Sequence, residues 1–352
     1  MTHTNYSDEQ QSKSEQPDPI VVKNLSRHFK SVVKGDRFID SIKALFSRKR
    51  KLVKAVDNIS FTIKDGEFAG FVGENGAGKS TTIKTLTGIL TPTSGSVKIA
   101  KLIPYQEREK NSRQIGVVFG QRTQLWWDLP LKESFELLCA IFQIERIEYK
   151  QTFDELATIL ELHEFLDKPV RNLSLGQRMR ADIAAALIHS PKILFLDEPT
   201  IGLDLVAKDR VRFFLKKINE LKKTTILLTT HDMDDIEVLC SRIIILDDGK
   251  IVFDGLTQDL KNQYLHERIV DVEFLERVTQ LSIDHTEIIY EQGRHVSLKI
   301  DLTKISIPET IKSLLNCYKV KDISVHAPKI ADVIKKIYAD PNYTRGVHRN
   351  NV

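Results

Sequence analysis

Long apolar runs are missing from this chain of 352 residues. A helix that crosses a bilayer needs about 20 consecutive apolar residues, and stretches such as Ile183 to Ile188 fall far short. An integral membrane protein is not expected, while a peripheral membrane partner stays open. Cysteine is scarce: Cys139, Cys240 and Cys317 are scattered and form no close pair. That argues against a disulfide framework or a zinc knuckle and for a reducing compartment. An excess of one charge is lacking too. Lysine and arginine number 52 against 48 acidic residues, a net of +4, which is too small for bulk charge to argue for nucleic-acid binding. The N-terminus has no basic-then-apolar pattern, so no signal peptide is expected. What is there is ordinary globular composition, 41% hydrophobic and 28% charged. The length suits one large domain plus a smaller one.

Residues 1–19 are polar and read as a disordered tail. A strand is expected over Ile20 to Leu25. The segment Lys34 to Lys54 is basic, and Phe38, Ile39, Ile42, Leu45 and Phe46 fall at helical spacing ahead of Arg48-Lys49-Arg50-Lys51. This predicts a short amphipathic helix with a basic end. It either packs on its own domain or meets a membrane partner or an anionic lipid surface. Further strands are expected at Ala55 to Ile63, Glu67 to Val72, Gln114 to Phe119, Ile193 to Asp197, Thr225 to Thr229 and Arg242 to Leu246. Helical patterns separate most of them, which is α/β architecture. Residues 122–190 read as mostly helical, a subdomain inserted into the sheet domain. After Leu256 the pattern changes to four short strands and two helices, and residues 257–345 read as a small α+β accessory domain ahead of a tail at 346–352.

The strongest motif is Gly73-Glu74-Asn75-Gly76-Ala77-Gly78-Lys79-Ser80, with Thr81 following. It matches the phosphate-binding loop at every fixed position, after an apolar strand and before a helix. Its glycines let backbone N–H groups turn inward toward phosphate oxygens, and the helix beginning at Lys79 adds its N-terminal partial charge. Lys79 is expected to reach the β and γ phosphates and Ser80 to ligate Mg²⁺. The second motif is the strand Ile193 to Leu196 running into Asp197-Glu198. A buried strand ending in two carboxylates is costly unless a cation sits there. Asp197 is expected to hold Mg²⁺, and Glu198 to polarise an attacking water. The third is Leu173-Ser174-Leu175-Gly176-Gln177 before an alanine-rich helix. Ser174 is a good N-cap, and Gly176 leaves the first turn bare.

Taken in this order, the three motifs resemble the nucleotide-binding subunit of an ABC transporter, over roughly Ile20 to Gly255. Smaller matches extend the resemblance. Gln121 resembles the Q-loop glutamine, a catalytic and Mg²⁺-binding position, with Gln124 as the runner-up because one extra residue, Gly120, precedes it. Gly202-Leu203-Asp204 resembles the D-loop, and His231 the switch histidine that senses the γ-phosphate. Phe29 sits where the family stacks an aromatic ring on adenine. Leu175 stands where the family usually has a second signature glycine. The resemblance implies a P-loop NTPase (RecA-like) core with an antiparallel β-subdomain and a helical signature subdomain, ATP and Mg²⁺ as ligands, and two cassettes packed head to tail. Ser174, Gly176, Gln177 and Asp204 of one cassette would then contact the nucleotide on the partner's phosphate loop.

A single cassette argues against the ribosomal class, which usually carries two. The stretch between Ser80 and Ser174 has no sustained heptads, which argues against repair ATPases of the long-coil type. The segment Ile115 to Pro130 and the C-terminal domain resemble the ATPases of the multidrug and daunorubicin-resistance exporter group. The expectation is an ATPase subunit, a homodimer, held peripherally at the cytoplasmic face of the membrane by separate permease subunits, with export favoured over import. Trp126 and Trp127 are either packed inside or part of the groove that receives the permease.

Overall fold

Apolar residues run almost without interruption through the central strands, and a computed structural model shows what each of their two faces meets. It describes residues 18–32, 50–120, 122–262, 267–278, 281–326 and 330–339. In chain order, β1 (Ile20–Val32) and β2 (Arg50–Ile63) precede β3 (Phe68–Gly73) and α1 (Lys79–Leu86). Then come β4 (Ser94–Ile99), α2 (Arg108–Ser112), β5 (Ile115–Phe119), α3 (Leu131–Phe142), α4 (Arg146–Ile159) and α5 (Leu175–Leu187). The second half holds β6 (Ile193–Asp197), α6 (Leu205–Lys222), β7 (Thr225–Thr230), α7 (Met233–Leu239), β8 (Arg242–Asp247), β9 (Lys250–Leu256) and α8 (Thr257–Asn262). The C-terminal part holds β10 (Glu267–Phe274), β11 (Thr286–Gln292), β12 (His295–Asp301), α9 (Ile307–Cys317), β13 (Val320–His326) and α10 (Ile330–Ala339).

Six strands form the central sheet in the order β5-β6-β7-β3-β8-β9. The first five run parallel, and β9 returns antiparallel to β8. Alternation sends Leu194, Leu196, Ile226, Leu228, Ile243 and Ile245 into a core shared with α5, α6 and α7. Ile193, Phe195, Leu227, Ile244 and Leu246 point the other way, into a core shared with α1 and the sheet β2-β1-β4. Both faces of the parallel sheet are therefore covered, as its near-continuous apolar strands require. The α3 and α4 helices complete the helical side through Leu131, Phe135, Leu156 and Ala157.

β10 to β13 form a separate four-stranded antiparallel sheet in the order β11-β12-β10-β13. It has its own core, in which Val270, Val272, Phe274, Val296, Leu298 and Ile300 meet Leu314 of α9. The flanking helices behave differently. Leu260 of α8 and Ile330, Val333, Ile334 and Ile337 of α10 pack into the main core.

Some expectations change. β1 continues to Val32, so Phe29 lies on a strand opposite Val53. Arg50 and Lys51, expected at the end of a helix, instead pair as strand with Val32 and Ser31. The rest of the expected basic helix and the N-terminal tail at 1–17 lie outside the described residues. β4 and β9 were not foreseen from pattern. Ser94-Gly95-Ser96 has low strand propensity and is held by pairing with β1.

Candidate functional site

The carboxyl ends of four neighbouring strands, β5, β6, β7 and β3, deliver the candidate residues to one edge of the sheet, where open α/β sheets bind ligands. β3 is buried along its whole length and ends in Gly73. The chain then turns over Gly78, whose φ is +105°. A Cβ there would sit 2.3 Å from the carbonyl oxygen of Ala55 in β2, so only glycine fits. The Lys79 ammonium lies back along the loop and donates to the carbonyls of Gly73 at 2.6 Å and Glu74 at 3.1 Å. Burial lowers its pKa, against the opposing pull of the nearby Glu198 and Asp197 carboxylates.

Ser80 Oγ donates to Asp197 Oδ1 at 3.2 Å, and Thr229 Oγ1 donates to the same oxygen at 2.5 Å. The loop serine and the strand-end aspartate therefore converge across 117 residues of chain. Glu198 comes next, in the left-handed region at φ +54°. Its N–H donates to the Thr229 carbonyl at 2.9 Å. His231 Nδ1 lies 3.1 Å from Glu198 Oε2. Gly120 closes the other side: its N–H donates to the Asp197 carbonyl at 2.8 Å. A Cβ on Gly120 would fall 2.0 Å from the Glu198 carbonyl oxygen. The residue that complicates the motif spacing is thus a glycine demanded by close backbone approach.

Two adjoining cavities open at this edge. One of about 430 Å³ is lined by Asn75, Ser80, Asp197, Glu198 and Gly120, among others. The other, of about 650 Å³, is lined by Gly73, Glu74, Asn75, Glu198, Ile201 and His231. The donor set suits Mg²⁺, which takes hard oxygens and keeps several waters rather than a full protein cage. Ser80 and Asp197 supply a hydroxyl and a carboxylate. Among the described residues no group of three or more His, Cys, Asp or Glu could hold a metal, so phosphate oxygens and water would complete the shell.

The signature lies elsewhere. Ser174 caps α5 in a reciprocal box: its Oγ accepts from Gln177 N–H at 3.2 Å, and its own N–H donates to Gln177 Oε1 at 3.0 Å. Ser174, Gly176, Gln177 and Asp204 line a third cavity, of about 350 Å³, that shares no residue with the other two. Asp204 caps α6 by accepting from Ala207 N–H at 2.9 Å. Leu175 finds its space against Gly202 of the D-loop, its Cδ2 3.2 Å from where a Cβ would stand.

Phe29 is 36% exposed, and the Arg27 guanidinium sits 4.7 Å from its ring centroid. It lines none of the three cavities. Gln121 lies outside the described residues. The runner-up Gln124 is engaged elsewhere, its amide donating to the Asp182 carbonyl at 3.1 Å. Trp126 and Trp127 are 37% and 48% exposed, so they are not core. The polar supports of the site were not foreseen: Thr229, Thr230, Thr200, Arg212 and Asp235. Asp235 follows Asp232 and Asp234, a run that reads as ordinary solvated acids in a helix first turn.

Comparison with known proteins bears on the family of the chain. Residues 56–201 match the family model described as ABC transporter. The chain is 32% identical over 230 residues to the ABC transporter ATP-binding protein NatA of Bacillus subtilis, covering 65% of this chain and 92% of that one. It is 30% identical to the linearmycin resistance ATP-binding protein LnrL of the same organism, over 78% of this chain and 88% of that one. It is also 32% identical to the methionine import ATP-binding protein MetN 2 of Enterococcus faecalis, over 71% of this chain and 73% of that one. Among solved structures it is similar to the ATP-binding cassette MJ0796, a dimer in a post-hydrolysis state bound to ADP and phosphate. There the TM-score is 0.55 at 29% identity, over 67% of this chain and 98% of that one. Among the described residues no helix is long and apolar enough to cross a membrane.

Proposed function

The chain belongs to the ATP-binding subunits of ABC transporters, and from that premise we propose that it powers export through separate permease subunits, acting as a head-to-tail homodimer. It is an ATP hydrolase of the ABC type. The observation that carries the catalytic reading is the Glu198–His231 pair, 3.1 Å apart beside the phosphate loop. Glu198 accepts the proton of the attacking water, and His231 orients that water and senses the γ-phosphate. Lys79 gives up its loop carbonyls for phosphate oxygens. Ser80, Asp197 and, by resemblance, Gln121 hold Mg²⁺. When bound, Mg²⁺ neutralises charge on the transferred phosphoryl group.

The separate signature cavity supports the dimer. Ser174, Gly176 and Gln177 share no cavity with the phosphate-loop residues Gly73, Asn75 and Ser80 of their own chain, so a second cassette is the natural source of a signature for each nucleotide. Two exposed tryptophans follow the Gln121 position and suit a permease contact. The resistance function in LnrL's name supports export, whereas the likeness to MetN 2 supports import as the second reading.

Glu198→Gln keeps shape and loses basicity. Steady-state ATPase is expected to fall about 10²–10⁴-fold while ATP still binds. Near-normal turnover in that variant would remove Glu198 as the base. The same tagged variant, captured with ATP from gently solubilised cells, is expected to bring down a multi-span membrane protein. Ribosomes or DNA-processing proteins in its place would overturn the transporter assignment.

A further inference from the structure

The pairing of Glu198 with His231 is built from two chain segments that meet on one buried carboxylate. Asp235, in the first turn of α7, is 0% exposed. Its Oδ2 accepts from Thr200 Oγ1 at 2.5 Å and from Thr230 Oγ1 at 3.0 Å. Thr200 lies two residues after Glu198, and Thr230 immediately precedes His231. A single oxygen therefore ties the strand end that carries the base to the strand end that carries the sensor. The Thr230 hydroxyl also accepts from the Asp232 N–H at 2.9 Å, which shapes the loop through His231.

The other oxygen, Asp235 Oδ1, accepts from Arg212 Nε at 2.6 Å. Arg212 is itself buried, and its guanidinium also reaches Asp232 Oδ2 at 3.3 Å. Asp232 takes a second cation in Lys208, at 2.6 Å. A buried carboxylate without a partner is strongly unfavourable, and Arg212 provides that partner. The network spans the D-loop side (Thr200, Lys208, Arg212) and the switch side (Thr230, Asp232, Asp235). Glu198 stands between them with a left-handed φ that a glutamate adopts only when its surroundings hold it there.

We propose that Asp235 is a positioning residue for ATP hydrolysis: through the hydroxyls of Thr200 and Thr230 it sets Glu198 and His231 in register, and Arg212 holds it in place. The inference rests on the reading of Glu198 as the catalytic base. It assigns Asp235 no contact with nucleotide, so its effect belongs in kcat and not in ATP affinity.

The test compares four variants of the full chain: Asp235→Asn, Thr230→Val, Thr230→Ser and Glu198→Gln. Misplacing a catalytic group by about 1 Å costs roughly 100-fold. Asp235→Asn and Thr230→Val are expected to lose about 10–100-fold in kcat, with the ATP dissociation constant within about twofold of wild type. Thr230→Ser, which keeps the hydroxyl, is expected to restore most of the rate. In single turnover, adding Asp235→Asn to Glu198→Gln is expected to cost little more, because residues acting through one group are non-additive. If Glu198→Gln is inactive but Asp235→Asn and Thr230→Val keep wild-type kcat, the inference fails and the catalytic reading stands. If Glu198→Gln turns over normally, the catalytic reading fails first. If Asp235→Asn loses ATP binding and thermal stability together, while Thr230→Val behaves as wild type, the cluster is only a packing brace and the inference is overturned.

Discussion

Asp182, on the signature helix, shows how one buried acid can tie a loop and a helix together. It is 4% exposed, and its Oδ1 accepts from Thr123 Oγ1 at 2.8 Å and from the Gln124 N–H at 3.1 Å. Burial pushes its pKa from 3.8 up to about 6, and the two hydrogen bonds and the charge of Arg178 counter that only in part. The folded pKa lies above the unfolded one, so the folded chain binds this proton more tightly. The group therefore favours the folded state most below about pH 4, and that contribution is lost as pH rises toward 6. Asp182→Asn keeps an acceptor for both donors and cannot ionise. Wild-type stability is expected to fall relative to the variant between pH 4 and 6, by about 3 kcal/mol at most. Denaturant unfolding across that range checks it, and parallel pH profiles would remove Asp182 as the source. At the same scale the Leu175 side chain lies against Gly202, its Cδ2 3.2 Å from where a Cβ on that glycine would stand.

Among the elements, α10 departs most from its place in the chain. It follows the accessory sheet, yet its apolar stripe is buried in the main core. Lys336 pairs with Glu267 at the start of β10, and the Tyr338 hydroxyl donates to the Leu246 carbonyl at 3.4 Å. Leu246 lies near the end of β8, opposite Gly73 in the strand that leads into the phosphate loop. Helix α10 thus spans the accessory sheet and the nucleotide-binding core. Ile334→Ala removes a fully buried branched side chain and is expected to lower the stability of the main domain by about 2–4 kcal/mol. Urea unfolding measures this, and a change under about 1 kcal/mol would mean that the helix contributes little to that core. At this scale the sequence pattern was informative about α10 as a helix and silent about its partner. Ile330, Val333, Ile334 and Ile337 have helical spacing whichever core receives them.

For the molecule as a whole, the separation of the phosphate-loop and signature cavities sets the expectation of nucleotide-driven dimerisation. Glu198→Gln with ATP is expected to double in mass by size exclusion with light scattering, and to remain at monomer mass without nucleotide. Lys79→Ala, which lacks the cation for the phosphates, is expected to stay monomeric in both conditions. A dimer that forms equally well without ATP would remove the nucleotide as the bridging element.

The sequence by itself determined the parts whose chemistry is contiguous. Gly73 to Ser80, Asp197-Glu198 and Ser174 to Gln177 are each a motif of a few adjacent residues, and the consecutive apolar residues of Ile193 to Leu196 already implied a strand covered on both faces. His231 and Asp204 were legible only by resemblance, because a lone histidine or aspartate at an element end has no distinguishing pattern. Gln121 lies outside the described residues. Tertiary structure alone decided what depends on juxtaposition: Ser80 beside Asp197, Glu198 beside His231, and Asp235 joining Thr200 to Thr230. It also decided that Trp126 and Trp127 are exposed, and that α10 serves the main core. The physical reason is common to these cases. Hydrogen bonds and packing across long stretches of chain leave no periodicity behind, so a buried acid such as Asp235 looks in sequence like any acid in a helix first turn.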